Sequence, residues 1–122
     1  MRMGNRAIIV PKESVGDHGP VVGIYVHWFD EDALNEALDK VEKLGYRSTK
    51  DDPSYGMARL CQVLCGMYED GLNIGLDVVD FGDPKGVVET AEWLDEGIIL
   101  IGDFDEDFER LDVEAWKEEC GC

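Results

Sequence analysis

The run Gly97-Ile98-Ile99-Leu100-Ile101-Gly102 constrains the fold more than any other stretch of the chain. Successive side chains of a β-strand point to opposite faces, and here both sets are aliphatic. A strand that is apolar on either side reads as a central member of a sheet. Other segments supply its neighbours. Arg6 to Val10 reads as a first strand ended by Pro11, which has no N–H for a ladder. Val21 to Trp28, rich in β-branched and aromatic residues, reads as a second. The turn residues between them, 14–20, join the two into a hairpin, and Gly23 marks a bulge or a close backbone approach. Leu72, Ile74, Leu76 and Val78 alternate with Asn73, Gly75, Asp77 and Val79, the pattern of a third strand with one solvated face.

Two helices stand out. Asp30 is placed to cap the first, with Glu31 and Asp32 in its opening turn and Gly45 as its stop. Between these lie Ala33, Leu34, Ala37, Leu38, Val41 and Leu44 at helical spacing. Ser54 is placed to cap a second helix, which carries Met57, Leu60, Cys61, Leu64, Cys65 and Tyr68 and ends near Gly71. Residues 84–94 fit either a short helix, with Pro84 at its first position, or an edge strand. The expected fold is a single α+β domain over residues 1–122. It is a two-layer sandwich of about four mainly antiparallel strands, with two main helices on one face and an acidic C-terminal segment, 103–122.

Charge narrows the partners. The chain holds 28 acids and 11 bases, a net of −17, and residues 77–122 carry −13 of it with 16 acids against 3 bases. Such a surface repels phosphate backbones and anionic lipid, and attracts basic grooves over about 8 Å at physiological salt. Direct binding to nucleic acid or membrane is therefore not expected. No apolar run approaches the ~20 residues that span a bilayer. After Arg6 only four apolar residues precede Pro11, too few for an export signal, so the reading is a cytoplasmic protein. Cys61 and Cys65 read as small core residues, and neither their spacing nor that of Cys120 and Cys122 matches the Cys-x2-Cys pairs of a common structural zinc site.

Catalytic signatures are absent from the pattern. Counting from Asp103, acids fall at positions of a calcium loop, but Phe108 stands where that loop needs glycine. His18 and His27 are the two histidines, and no nucleophile elbow accompanies them. The 14 glycines form no phosphate-binding fingerprint. The chain thus reads as non-enzymatic, with no cofactor and no metal. Asp103, Asp105, Glu106, Asp107, Glu109, Asp112 and Glu114 form the candidate partner-binding set, because carboxylates repeated on an ordered scaffold imitate a phosphate backbone. A second candidate surface joins His27, Trp28, Tyr46, Arg47 and Tyr55 into a protein-binding module without mimicry. A small metal-binding regulatory protein is a further alternative.

Several segments carry a resemblance: Gly4-Asn5-Arg6-Ala7-Ile8, Gly23-Ile24-Tyr25-Val26-His27-Trp28, Gly45-Tyr46-Arg47, Tyr55-Gly56 with Ala58-Arg59-Leu60-Cys61-Gln62-Val63, and Gly71-Leu72-Asn73-Ile74-Gly75. In these, over residues 4–79, the chain resembles a group of small, largely uncharacterised proteins of bacterial prophages and other mobile elements. The acidic end, from about residue 103, departs from that group. The resemblance brings no activity with it. It implies a mobile-element setting, in which a small acidic protein is expected to inhibit a host defence protein that handles nucleic acid, of the anti-CRISPR or anti-restriction type, by occupying its basic groove.

Overall fold

The aliphatic strands of the sequence meet at the middle of one sheet. In the computed structural model, which describes residues 5–17, 19–68, 73–104 and 107–120, β1 (Ala7–Pro11) is buried along its whole length. It pairs antiparallel with β2 (Pro20–Val26), Ile8 facing Tyr25, and parallel with β4 (Gly97–Ile101), Ile8 facing Ile98. β3 (Ile74–Asp80) adds to β2, and the two-residue β5 (Glu109–Arg110) adds to β4, both antiparallel. The order is β3-β2-β1-β4-β5. α1 (Ser14–Asp17) lies inside the β1–β2 connection, and α2 (Glu31–Lys43) and α3 (Pro53–Met67) follow β2. α4 (Pro84–Trp93) links β3 to β4, and α5 (Val113–Cys120) ends the described chain.

The domain is α+β, with the two main helices, α2 and α3, on one face as the sequence suggests, but it is not the two-layer sandwich of about four strands expected. The sheet has five strands and is mixed, and helices cover both of its faces. The reason lies in β1 and β4. Ala7, Ile9, Ile99 and Ile101 pack under α2 and α3 with Leu34, Leu38, Leu60 and Leu64. Ile8, Val10, Ile98 and Leu100 project the other way, against Phe81, Val87 and Leu94 of the α4 side and Trp116 of α5. One helical layer covers only one of these sets. The second is supplied by α4: of residues 84–94, Pro84–Trp93 form a helix, with Asp83 capping it through Gly86 N–H and Pro84 in its first turn.

Local signals place the ends of α2 as the sequence predicts. Asp30 accepts from Asp32 N–H at 2.8 Å, and Gly45 takes φ +77°, a left-handed conformation that favours glycine. α3 is capped by Asp52, which accepts from Tyr55 N–H, and not by Ser54. Cys61 is half-buried and Cys65 exposed, so the pair is not a core pair.

β3 departs from its sequence pattern in a way that matters for the surface. Leu76 lies opposite Ile24 and Val78 opposite Val22, so both project on the α2/α3 face. They lie beyond the cover of the helices and are 68% and 57% exposed. The buried residue of the strand is Val79, from the set that sequence alternation assigns to solvent, and it packs on the α4 side.

Candidate functional site

The acidic segment after β4 is held by four large side chains that divide between the two cores. Phe104 and Phe108 pack on the core beneath α2 and α3, with Phe108 edge-on to Phe29 at 6.2 Å. Leu111 and Trp116 pack on the opposite core, with Trp116 edge-on to Phe81 at 5.8 Å. The segment therefore wraps around the β5 edge of the sheet. Its acids follow that path and do not line one ridge.

Each candidate acid has its own environment. Asp103 accepts from the Phe104 N–H at 2.8 Å, and Asp107 is exposed. Glu109 pairs with Lys12 at 2.7 Å. Asp112 caps α5 by accepting from Ala115 N–H, and Glu114 is exposed in the first turn of that helix. Asp105 and Glu106 lie outside the described residues. Between Glu109 and Asp112, Arg110 donates to Glu31 at 2.9 Å and to Glu96 at 2.7 Å. The hydrogen bonds to Glu96 and Glu31 raise the guanidinium pKa above its ordinary value. This bridge fastens β5 to the start of α2 and to the loop before β4.

A larger acidic surface lies on the outer layer over the α4-side core. α4 and α5 pack side by side there, and their exposed acids are Glu89, Glu92, Glu114, Glu118 and Glu119. Residues 80–96 and 111–119, which build and flank these helices, hold ten acids and two bases, and two of those acids, Asp95 and Glu96, pair with Arg6 and Arg110 from outside the set. Residues 31–67, which build the opposite layer, hold seven acids and five bases, a net of −2. Counted over the helices alone, α4 and α5 carry five acids and two bases, and α2 and α3 five acids and three bases. Sequence reasoning missed Glu89 and Glu92 because the helix that carries them was open to a strand reading.

The five aromatic and basic candidates separate into two groups. His27 and Trp28 stack at 5.2 Å with an interplanar angle of 1°, and Trp28 is 54% exposed with φ +65°. They continue a row through Tyr25, which stacks on Trp93 at 5.8 Å, and Arg6 lies 4.5 Å over the Trp93 ring. Tyr46, Arg47 and Tyr55 form the other group, between α2 and α3. Tyr46 meets Tyr55 edge-on at 6.2 Å, and Arg47 lies 5.0 Å over Tyr55 while bonding Asp52 at 2.8 Å. Arg59, which with Arg47 is one of the few bases of the first half, reaches both tyrosine rings.

A groove of about 670 Å³ opens between α3 and the outer sheet strands, walled by Pro53, Met57 and Cys61 on one side and Val22, Ile24 and Leu76 on the other. Burial, with Cys65 beside it, pushes the Cys61 thiol pKa up, which favours the neutral thiol. Among the described residues no three His, Cys, Asp or Glu side chains gather to hold a metal ion, and no helix is long and apolar enough to cross a membrane. No family model, curated protein or solved structure matches the chain.

Proposed function

We propose that this is a non-enzymatic inhibitor of a nucleic-acid-handling defence protein in a bacterial host cytoplasm, of the anti-CRISPR or anti-restriction type. It acts by presenting carboxylates to the partner's basic groove. The observation that carries this reading is the set of five exposed acids, Glu89, Glu92, Glu114, Glu118 and Glu119, on the packed helices α4 and α5. Exposed acids on packed helices keep fixed spacings, as phosphates do along a duplex, and a rigid anion array loses little entropy when a basic groove closes on it. The mobile-element setting suggested by the sequence resemblance belongs to the same proposal.

Charge reversal tests it. The triple variant Glu89→Lys, Glu92→Lys, Glu118→Lys is expected to abolish protection of a targeted phage in cells carrying the restricting or CRISPR system. Glu36→Lys, Asp39→Lys, Glu42→Lys on α2 makes the same change in net charge and is expected to leave protection intact. Equal loss in both would assign the effect to overall charge and refute the α4/α5 surface.

A second reading, binding through His27 and Trp28 without mimicry, is favoured by one observation: a half-exposed tryptophan held at positive φ, a conformation uncommon for bulky residues. There, Trp28→Ala removes binding and added salt does not.

A further inference from the structure

We infer that the free edge of β3 is a strand-addition site for an extended, basic segment of a protein partner, with the groove beside α3 receiving that segment's aliphatic side chains. The inference does not depend on the acidic α4/α5 surface.

The hydrogen-bond register identifies which groups β3 offers. His27 N–H donates to the Asn73 carbonyl at 2.7 Å, and Phe81 N–H donates to the Gly19 carbonyl at 3.0 Å. Bonded and non-bonded pairs alternate along an antiparallel ladder. Gly75, Asp77 and Val79 therefore direct their backbone groups to β2, while Ile74, Leu76, Val78 and Asp80 direct theirs outward. Two of the outward groups are already engaged. Val78 N–H donates to Asp77 Oδ1 at 2.8 Å, and the Asp80 carbonyl accepts from Asp83 N–H at 3.0 Å. Among the described residues, nothing bonds the outward N–H and C=O of Ile74 and Leu76. Folded proteins usually blunt such an edge with charged side chains, lysine above all, with proline or with a bulge; residues 74–80 contain no lysine or proline, pair with β2 without a break, and carry only the acids Asp77 and Asp80.

The side chains agree with the backbone. Leu76 and Val78, whose backbone groups face outward, are also the exposed aliphatic residues of the strand, and with Val22 they continue the floor of the groove toward the edge. A strand laid beside β3 places alternate side chains on this same face. Charge selects the occupant. Asp17 lines the groove, Asp77, Asp80 and Asp83 stand along the edge, and no base occurs between residues 74 and 84. A second copy of β3 brings Asp77 and Asp80 against their own kind. A strand alternating aliphatic with lysine or arginine side chains satisfies the apolar floor and the carboxylates together.

The probe is a seven-residue peptide of alternating lysine and valine, the length of β3, titrated into the full chain by NMR and by fluorescence anisotropy. The expected result is saturable binding that shifts resonances of residues 74–80 and of Met57 and Cys61. Val78→Lys should weaken it at least tenfold. Leu76→Pro, which deletes one outward N–H, should do the same; if that variant does not fold, Val78→Lys carries the test. The fully N-methylated peptide keeps charge and side chains but has no backbone N–H to donate, and it should also bind at least tenfold more weakly. Absence of binding would overturn the proposal, as would equal affinity for the two peptides, shifts confined to α4 and α5, or a β3-mediated dimer in sedimentation. Because the triple α4/α5 variant retains β3, peptide binding by it separates failure of this site from failure of the acidic surface.

Discussion

Gly23 stands at mid-strand in β2 because the neighbouring strand leaves no room there for a side chain. A Cβ at this position would lie 2.5 Å from Ile8 Cγ2 and 2.9 Å from Val10 Cγ1, both fully buried. Close approach, one of the two sequence readings of this glycine, is the one observed, and it lets Ile8 and Val10 fill the α4-side core. Gly23→Val is therefore expected to destabilise the fold by about 1–3 kcal/mol through overpacking, read as a lower denaturation midpoint in urea. An unchanged midpoint would mean that β2 yields freely at this point. Trp116 shows the opposite balance. Its ring fills the same core at 3% exposure, while its buried Nε1 finds no acceptor among the described residues, so its contribution comes from area and not from polar contact.

At the scale of elements, α4 decides the architecture. It closes the second face of the sheet and carries two of the acids on which the functional proposal rests. Its cap is Asp83, whose carboxylate accepts from Gly86 N–H at 3.3 Å. Asp83→Ala is expected to cost about 1 kcal/mol, with hydrogen exchange rising first in residues 84–88; uniform exchange across the domain would contradict a local role. Much of this layer was legible in the sequence, and the rest was not, for physical reasons. The caps of α2 are local chemistry, so Asp30 and Gly45 announce themselves. The apolar positions of residues 84–94 are few, and only Val87 and Leu94 are buried, which leaves helical and strand periods hard to separate. The parallel β1–β4 pairing joins residues about ninety apart, and no local pattern encodes it. β3 misleads by its own alternation: Leu76 and Val78 look like core positions, yet the helices end short of them, and the free edge emerges only when the register is known.

The whole molecule has two chemically distinct surfaces on either side of one sheet. One is the acidic α4/α5 layer, the other the α2/α3 layer with its apolar groove. The C-terminal acids fit this picture only in part. The sequence suggested one continuous array from Asp103 to Glu114, whereas the chain passes around the β5 edge and delivers Asp112 and Glu114 to the α4/α5 side, leaving Phe104 and Phe108 on the other. The central claim is that the acidic layer takes the place of nucleic acid in a partner's groove, and competition measures it most directly. A complex between this protein and a restriction or CRISPR effector is titrated with duplex DNA carrying the effector's target. The account expects mutually exclusive binding, with apparent affinity falling as salt rises and lost in the Glu89→Lys, Glu92→Lys, Glu118→Lys variant. A ternary complex in which DNA and this protein sit on the effector together, undisturbed by those substitutions, would contradict it.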